Sequence, residues 1–241
     1  MRSPLALVSE QQIANVVSAG WGQAIRELRY FPEGGGAYHW IADADDGRRW
    51  FVTCDDLDTK PWLGSDREAV FGALSAAYGT AMELRAAGLA FVLAPRATAA
   101  GAPAERVDER HSVSVFEYAE GEPGRWGQAI GRSGRRDLVT MLARLHQATP
   151  PGAGLPRRGL ALAGRGGFEE ALDDLERPWD GGPLSEPARQ ELAASLDLIV
   201  GWLADLDRYA ARLGDKNAIV THGEPHPNNL IRTGTELSLV D

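Results

Sequence analysis

In the first half of the chain apolar and polar residues alternate with a period near two. Gln23–Phe31, Ala37–Ala44 and Arg48–Cys54 read as three strands, the last centred on Trp50-Phe51-Val52. Pro32-Glu33-Gly34-Gly35-Gly36 is a turn sequence between the first two, and Asp45-Asp46-Gly47 is a hairpin signal before the third. Gln11–Gly20 precedes them as a short helix with Ile13, Val16 and Val17 on one face. Ser65–Ala87 has the longer helical period, with Val70, Leu74, Ala77, Ala81 and Leu84 in one stripe. Ser65 and Glu68 form a capping-box pattern, and Gly88 is a natural stop. Leu89–Ala94 and His111–Tyr118 read as two further strands, with Thr98–Ala104 a Gly/Ala-rich loop between them.

The polar, turn-rich stretch Glu117–Gly124 then separates two regimes. Beyond it the period becomes helical. Arg135–Gln147 places Leu138, Met141, Leu142 and Leu145 inward, and Pro150-Pro151-Gly152 stops it. A Gly/Arg-rich loop over 152–167, a short acidic helix over Phe168–Arg177 and a long helix over Pro187–Leu213 follow, the last closed by Gly214. Its stripe is Leu192, Leu196, Ile199, Leu203 and Leu206. Trp126, Trp179 and Trp202 are expected in packing rather than substrate stacking. The pattern is α+β, with residues 1–116 a sheet-rich part and 117–241 a helical part.

The chain ends on its densest chemistry. Ala218–Ile231 reads as two short apolar strands around a loop with two His, one Glu, two Asn and two Pro. Proline cannot donate to a sheet ladder, so the centre is a loop. Thr233-Gly234-Thr235 turns the chain into Glu236–Val240, which leads to Asp241. Phosphoryl transfer needs a carboxylate for the proton of the attacking hydroxyl, and an amide oxygen and a second carboxylate for magnesium on ATP. Protein kinases place the base and the Asn five apart on a loop opening with His. Glu224 and Asn229 are five apart, and His222 stands two before Glu224.

His222-Gly223-Glu224-Pro225-His226-Pro227-Asn228-Asn229, followed by Leu239-Val240-Asp241, resembles the catalytic loop and metal strand of the aminoglycoside phosphotransferase family. The resemblance implies a bilobal protein-kinase-like fold, a small antiparallel-sheet lobe before a helical large lobe. It implies ATP and Mg2+ as cofactors and a small-molecule hydroxyl as acceptor, with aminoglycoside-type antibiotics the family-level expectation. By the same resemblance Glu224 is the base, with His222 in the catalytic loop; Asn229 and Asp241 hold magnesium; and Glu117 and Ala119 meet adenine through their backbone. Helices that normally follow the metal strand are absent, which implies a C-terminally truncated family member, weak in acceptor phosphorylation and self-associating through its open large lobe.

Two positions depart from the pattern. Glu224 stands where the family has Asp, one methylene longer. Thr53 stands where kinases carry the strand lysine that holds ATP phosphates. Lys60, seven residues on, is the lysine candidate for the cofactor; its simplest placement is exposed, and Arg48 or Arg49 are substitutes. Glu83 is the candidate helix glutamate for that lysine.

Rival readings stay open. One is a non-catalytic nucleotide-binding remnant. Another is a metal hydrolase, because His222, Glu224 and His226 alternate and are all zinc-ligand types. A zinc deaminase needs a later Pro-Cys-x-x-Cys, and the single cysteine is Cys54, upstream. One cysteine also excludes an internal disulfide framework. A formal net charge of −9 disfavours nonspecific nucleic-acid binding, which works by neutralising phosphates. No apolar run reaches the length of a membrane span. A cytoplasmic protein with no nucleic-acid or membrane partner is expected.

Overall fold

The structure is a computed structural model and describes residues 8–125, 127–148, 160, 162, 164–213 and 219–240. Packing divides it into two units, Met1–Pro156 with Ile219–Asp241, and Arg157–Ala218. The division differs in kind from a break at 116/117, because the last strands return to the first unit.

The first unit opens with α1 (Glu10–Trp21). Ser9 and Gln12 cap it reciprocally, each side chain meeting the other's backbone N–H. Next come β1 (Ile25–Phe31), β2 (Tyr38–Ala44) and β3 (Arg49–Asp56), a meander as the turn chemistry predicts. A 3-10 turn (Leu57–Thr59) leads to α2 (Arg67–Ala86), and β4 (Glu105–Arg106) and β5 (His111–Glu117) complete an antiparallel sheet of order β1-β2-β3-β5-β4. Trp40 faces Val52 and Thr53 faces Ser114 in register.

Strand alternation gives this sheet two unlike faces. Trp40, Ala42, Trp50, Val52, Cys54, Val113 and Val115 are buried together with Ile13 and Val17 of α1, a dry apolar core. The alternate residues of β3 and β5 include Phe51, Thr53, Asp55, Ser112, Ser114 and Phe116. Tyr78 of α2 packs edge-on against Phe116 there, with ring centroids 5.9 Å apart.

After β6 (Glu122–Pro123) and α3 (Arg132–Gln147), the first unit resumes with a 3-10 turn (Pro227–Asn229), β7 (Leu230–Thr233) and β8 (Glu236–Leu239). These strands form a second sheet, β6-β7-β8. Leu84, Phe91, Val92, Met141, Leu145, Val220, Leu230 and Leu239 make its core. The α3 stripe is therefore placed as its period predicts.

The second unit holds α4 (Arg165–Asp173), α5 (Ser185–Ala194) and α6 (Leu196–Leu213). Arg165 of α4 donates to Asp207 of α6 through Nη2 at 2.9 Å. Among its described residues Leu175 is the buried hydrophobic one, the predicted stripe is half-buried, and Trp202 is 62% exposed rather than packed. Trp126 and Gly214 lie outside the described residues.

Some boundaries differ from the sequence expectation for local reasons. Leu89–Ala94 is not a strand: Phe91 and Leu93 each make one bond to Leu239, Arg85 Nη1 takes the Val92 carbonyl at 3.1 Å, and Pro95 has no N–H. The cap of α2 is Asp66, whose carboxylate accepts from Ala69 N at 2.9 Å, one residue beyond Ser65. The long helix expected over Pro187–Leu213 is two helices broken at Ser195, whose N–H bonds back to Glu191 and Leu192 as a cap does. No helix among the described residues is long and apolar enough to cross a membrane.

Candidate active site

The loop before β7 is fixed mainly by its own backbone. Gly223 sits at φ +88°, a conformation that side chains with a Cβ rarely adopt. Past it, the Glu224 carbonyl accepts from His226 N at 2.8 Å and from Asn229 Nδ2 at 3.0 Å. Asn229 N closes the 3-10 turn onto the His226 carbonyl at 3.0 Å. The two positions matched by their five-residue interval are thus joined by a direct bond. The Glu224 side chain stays 73% exposed, with Oε2 3.4 Å from His226 Nε2.

The end of β8 is tied to the same loop from both sides. Val240 N donates to the Asn229 carbonyl at 3.0 Å, and His222 Nε2 lies 3.0 Å from the Val240 carbonyl. A carbonyl only accepts, so His222 carries its proton on Nε2. Its Nδ1 is buried, with no hydrogen-bond partner among the described residues. Asp241 lies outside the described residues.

The linker approaches this loop backbone to backbone. Gly124 N donates to the Leu230 carbonyl at 3.1 Å, and a Cβ on Gly124 would fall on the Pro227 carbonyl. Composition alone does not reveal this packing. Glu117, at the end of β5, turns its exposed carboxylate to Arg96 Nη1 at 2.9 Å, and Ala119 is half-buried beyond it.

The sheet face with Phe51 and Thr53 holds a second group. Thr53 is buried, its hydroxyl 3.2 Å from His39 Nδ1, and the His39 ring stacks on Phe51 at 5.0 Å. Lys60 is not exposed. Only 8% of its side chain meets solvent, and Nζ lies 3.0 Å from Asp55 Oδ1 and 2.7 Å from the Gly36 carbonyl. Glu83 is exposed on α2, and the residue that α2 brings to Asp55 is Tyr78, whose hydroxyl donates to Oδ2 at 2.9 Å. Asp55 and Tyr78 were missed because their contact joins residues far apart in the chain. The run of acids Asp55-Asp56 beside a lone lysine was the available signal.

Among the described residues no three His, Cys, Asp or Glu side chains converge as a metal group would, the alternating His222, Glu224 and His226 included.

Residues 27–241 match the family described as the phosphotransferase enzyme family. Among solved structures the chain is similar to spectinomycin phosphotransferase in complex with ADP and spectinomycin, at TM-score 0.68 and 13% identity, covering 98% of this chain and 69% of that one. It is similar to amicoumacin kinase in complex with AMP-PNP and Ca2+, at TM-score 0.57 and 13% identity, covering 97% and 64%. An aminoglycoside phosphotransferase from Alicyclobacillus acidocaldarius gives TM-score 0.57 and 17% identity, covering 100% and 67%. At such identities the likeness establishes the fold. A search of curated proteins gave no match.

Proposed function

The chain belongs to the phosphotransferase enzyme family, and from that membership and the 222–229 loop we propose that it moves the γ-phosphoryl group of ATP to a hydroxyl of a small molecule. The observation that carries the proposal is the Asn229–Glu224 bond, which fixes a base candidate and a metal-ligand candidate as one piece. The acceptor oxygen attacks the γ-phosphorus as its O–H proton passes to the Glu224 carboxylate. The bond from that phosphorus to the β–γ bridging oxygen breaks, and ADP leaves. Glu224 is longer than the family's Asp, and its Oε2 lies 3.4 Å from His226 Nε2. His222 shapes the loop by holding Val240.

Magnesium, when bound, neutralises charge developing on the phosphates. Asn229 would offer its amide oxygen, a hard donor of the kind magnesium takes, from a side chain anchored through Nδ2 to the Glu224 carbonyl. Asp241 would supply the carboxylate. Adenine would meet the backbone of Glu117 and Ala119. The acceptor class proposed is antibiotic alcohols, since similarly folded phosphotransferases include ones named for spectinomycin and amicoumacin.

A second reading, a nucleotide-binding protein without turnover, is favoured by the buried Thr53 at the lysine position. One assay separates the two. ADP release is measured with ATP, magnesium and a panel of spectinomycin, aminoglycosides and other alcohols. Acceptor-dependent ADP release supports the transferase. Nucleotide binding with no acceptor-dependent release on any panel member favours the second reading.

A further inference from the structure

A site for ATP phosphates needs a cation, and the strand position expected to supply it holds Thr53. On the same sheet face a buried lysine stands in a built polar setting. Lys60 Nζ meets Asp55 at 3.0 Å and the carbonyl of Gly36 at 2.7 Å, at the end of the glycine turn between β1 and β2. Asp55 is two residues along β3 from Thr53, so strand alternation puts both on one face. The opposite face of β3 and β5 is wholly apolar at Trp50, Val52, Cys54, Val113 and Val115. This face instead carries Thr53 opposite Ser114 and Asp55 opposite Ser112, all four buried. The Ser114 hydroxyl has no hydrogen-bond partner among the described residues. A face that served only packing would gain nothing from such groups, since each buried polar atom costs free energy unless it is bonded.

Resting on the phosphotransferase reading, we infer that Lys60 is the cation that contacts the ATP phosphates, and that Asp55 and Tyr78 are its positioning residues. The kinase pattern pairs a strand lysine with a helix glutamate. Here the parts are exchanged. The strand gives the carboxylate, the segment after the 3-10 turn gives the lysine, and α2 gives a phenol. Tyr78 donates to one oxygen of Asp55 at 2.9 Å, while the other oxygen faces Lys60. An ammonium has three donors. Among the described residues two point at Asp55 and Gly36, and the third suits a phosphate oxygen. The Gly36 contact places the amine at the glycine turn, where backbone without a Cβ lets a ligand come close.

The test compares ADP with adenosine by calorimetry on the full chain, because only ADP has phosphates for Lys60 to hold. Wild type should bind ADP more tightly than adenosine. Lys60→Ala should lose about 10- to 100-fold of that preference, the range of a charge-assisted hydrogen bond, with adenosine affinity kept. Lys60→Arg should restore most of it. Asp55→Asn and Tyr78→Phe should shift ADP in the same direction by less. Removing one charge of a buried pair can unfold the lobe, so Lys60→Met with Asp55→Asn removes both together. A folded double variant that keeps the ADP preference overturns the inference, as do equal losses for ADP and adenosine. In those cases wild-type ADP binding leaves the phosphotransferase reading standing. A wild type that binds neither ligand overturns both.

Discussion

Glu224 keeps 73% of its side chain in solvent, whereas Asp55, in the same packed unit, keeps 3%. Both are carboxylates of the proposed chemistry, and they are held in opposite ways. Glu224 is placed by its backbone: its carbonyl takes bonds from His226 and Asn229, and its carboxylate stands clear of the fold. Asp55 is placed through its carboxylate, which is gripped by Lys60 and Tyr78. A side chain held through its backbone can be exchanged at the cost of chemistry alone. A side chain held through its charge cannot be exchanged without disturbing the fold.

The largest effect should come from breaking the buried side. Lys60→Ala takes the cation away from the buried Asp55 carboxylate, a change that costs about 3–5 kcal/mol. Chemical denaturation should show that loss, and Lys60→Met with Asp55→Asn should recover much of it. A Lys60→Ala variant as stable as wild type would mean that water already reaches Asp55 and that the contrast with Glu224 is false.

The exposed side should break in the other sense. Glu224→Gln keeps the backbone bonds and removes the proton acceptor. Turnover should fall by ~10²-fold or more, the scale of a lost general base, while the melting temperature stays put. Unchanged turnover would take Glu224 out of the mechanism. A large drop in melting temperature would show that its carboxylate supports the fold after all.

The same contrast decides what could be read from sequence. The Glu224–Asn229 turn is legible because that bond is local, spanning five residues, whereas the ties of the loop to Val240 and Gly124 are not. The β1–β2–β3 meander and the α3 stripe are legible for similar reasons, turn residues and period acting over a few positions. Lys60 was expected at the surface, because nothing local shows that Gly36, 24 residues earlier, offers it a carbonyl. Tyr78 reaches Asp55 across 23 residues. Glu83 was the charge-pattern choice on α2, and packing selected the phenol. The break at Ser195 escaped because the apolar stripe continues through it: Leu192 and Leu196 keep the helical spacing while the backbone caps between them.

A smaller effect distinguishes Asp55 from its neighbour. Asp56 is also buried, at 4% side-chain exposure, but its partner Arg110 is 35% exposed. Burial by itself would raise the Asp56 carboxyl. The Arg110 fork, at 2.8 and 2.6 Å, outweighs it together with the Asp58 amide and holds the group below the ordinary carboxylate value. A carboxyl whose pKa is lowered by folding stabilises above its unfolded pKa, near 3.8, and that stability is lost as pH falls through the folded value. Wild type should therefore lose melting temperature faster than Asp56→Asn below about pH 4. Parallel acid limbs for the two proteins would show that Arg110 contributes nothing in solution.

The smallest effect sharpens the picture of a loop held by its backbone. Gly223 is at φ +88°, and a Cβ built there meets no heavy atom within 4 Å. Gly223→Ala therefore adds strain without a clash. A left-handed residue other than glycine costs roughly 1–2 kcal/mol. Gly223 is exposed, and the residues that anchor the segment, Val220 and Leu230, are buried on either side of it. The strain can relax by shifting the loop between those anchors rather than by unfolding the unit. The cost should then fall on the position of Glu224: turnover drops by about tenfold, the equivalent of 1.4 kcal/mol, with little change in melting temperature. Adenosine affinity should not move, since the proposed adenine contacts lie at Glu117 and Ala119. A melting temperature that falls while turnover holds would reverse the assignment, making Gly223 a requirement of the fold and leaving the placement of Glu224 to its side-chain contact with His226.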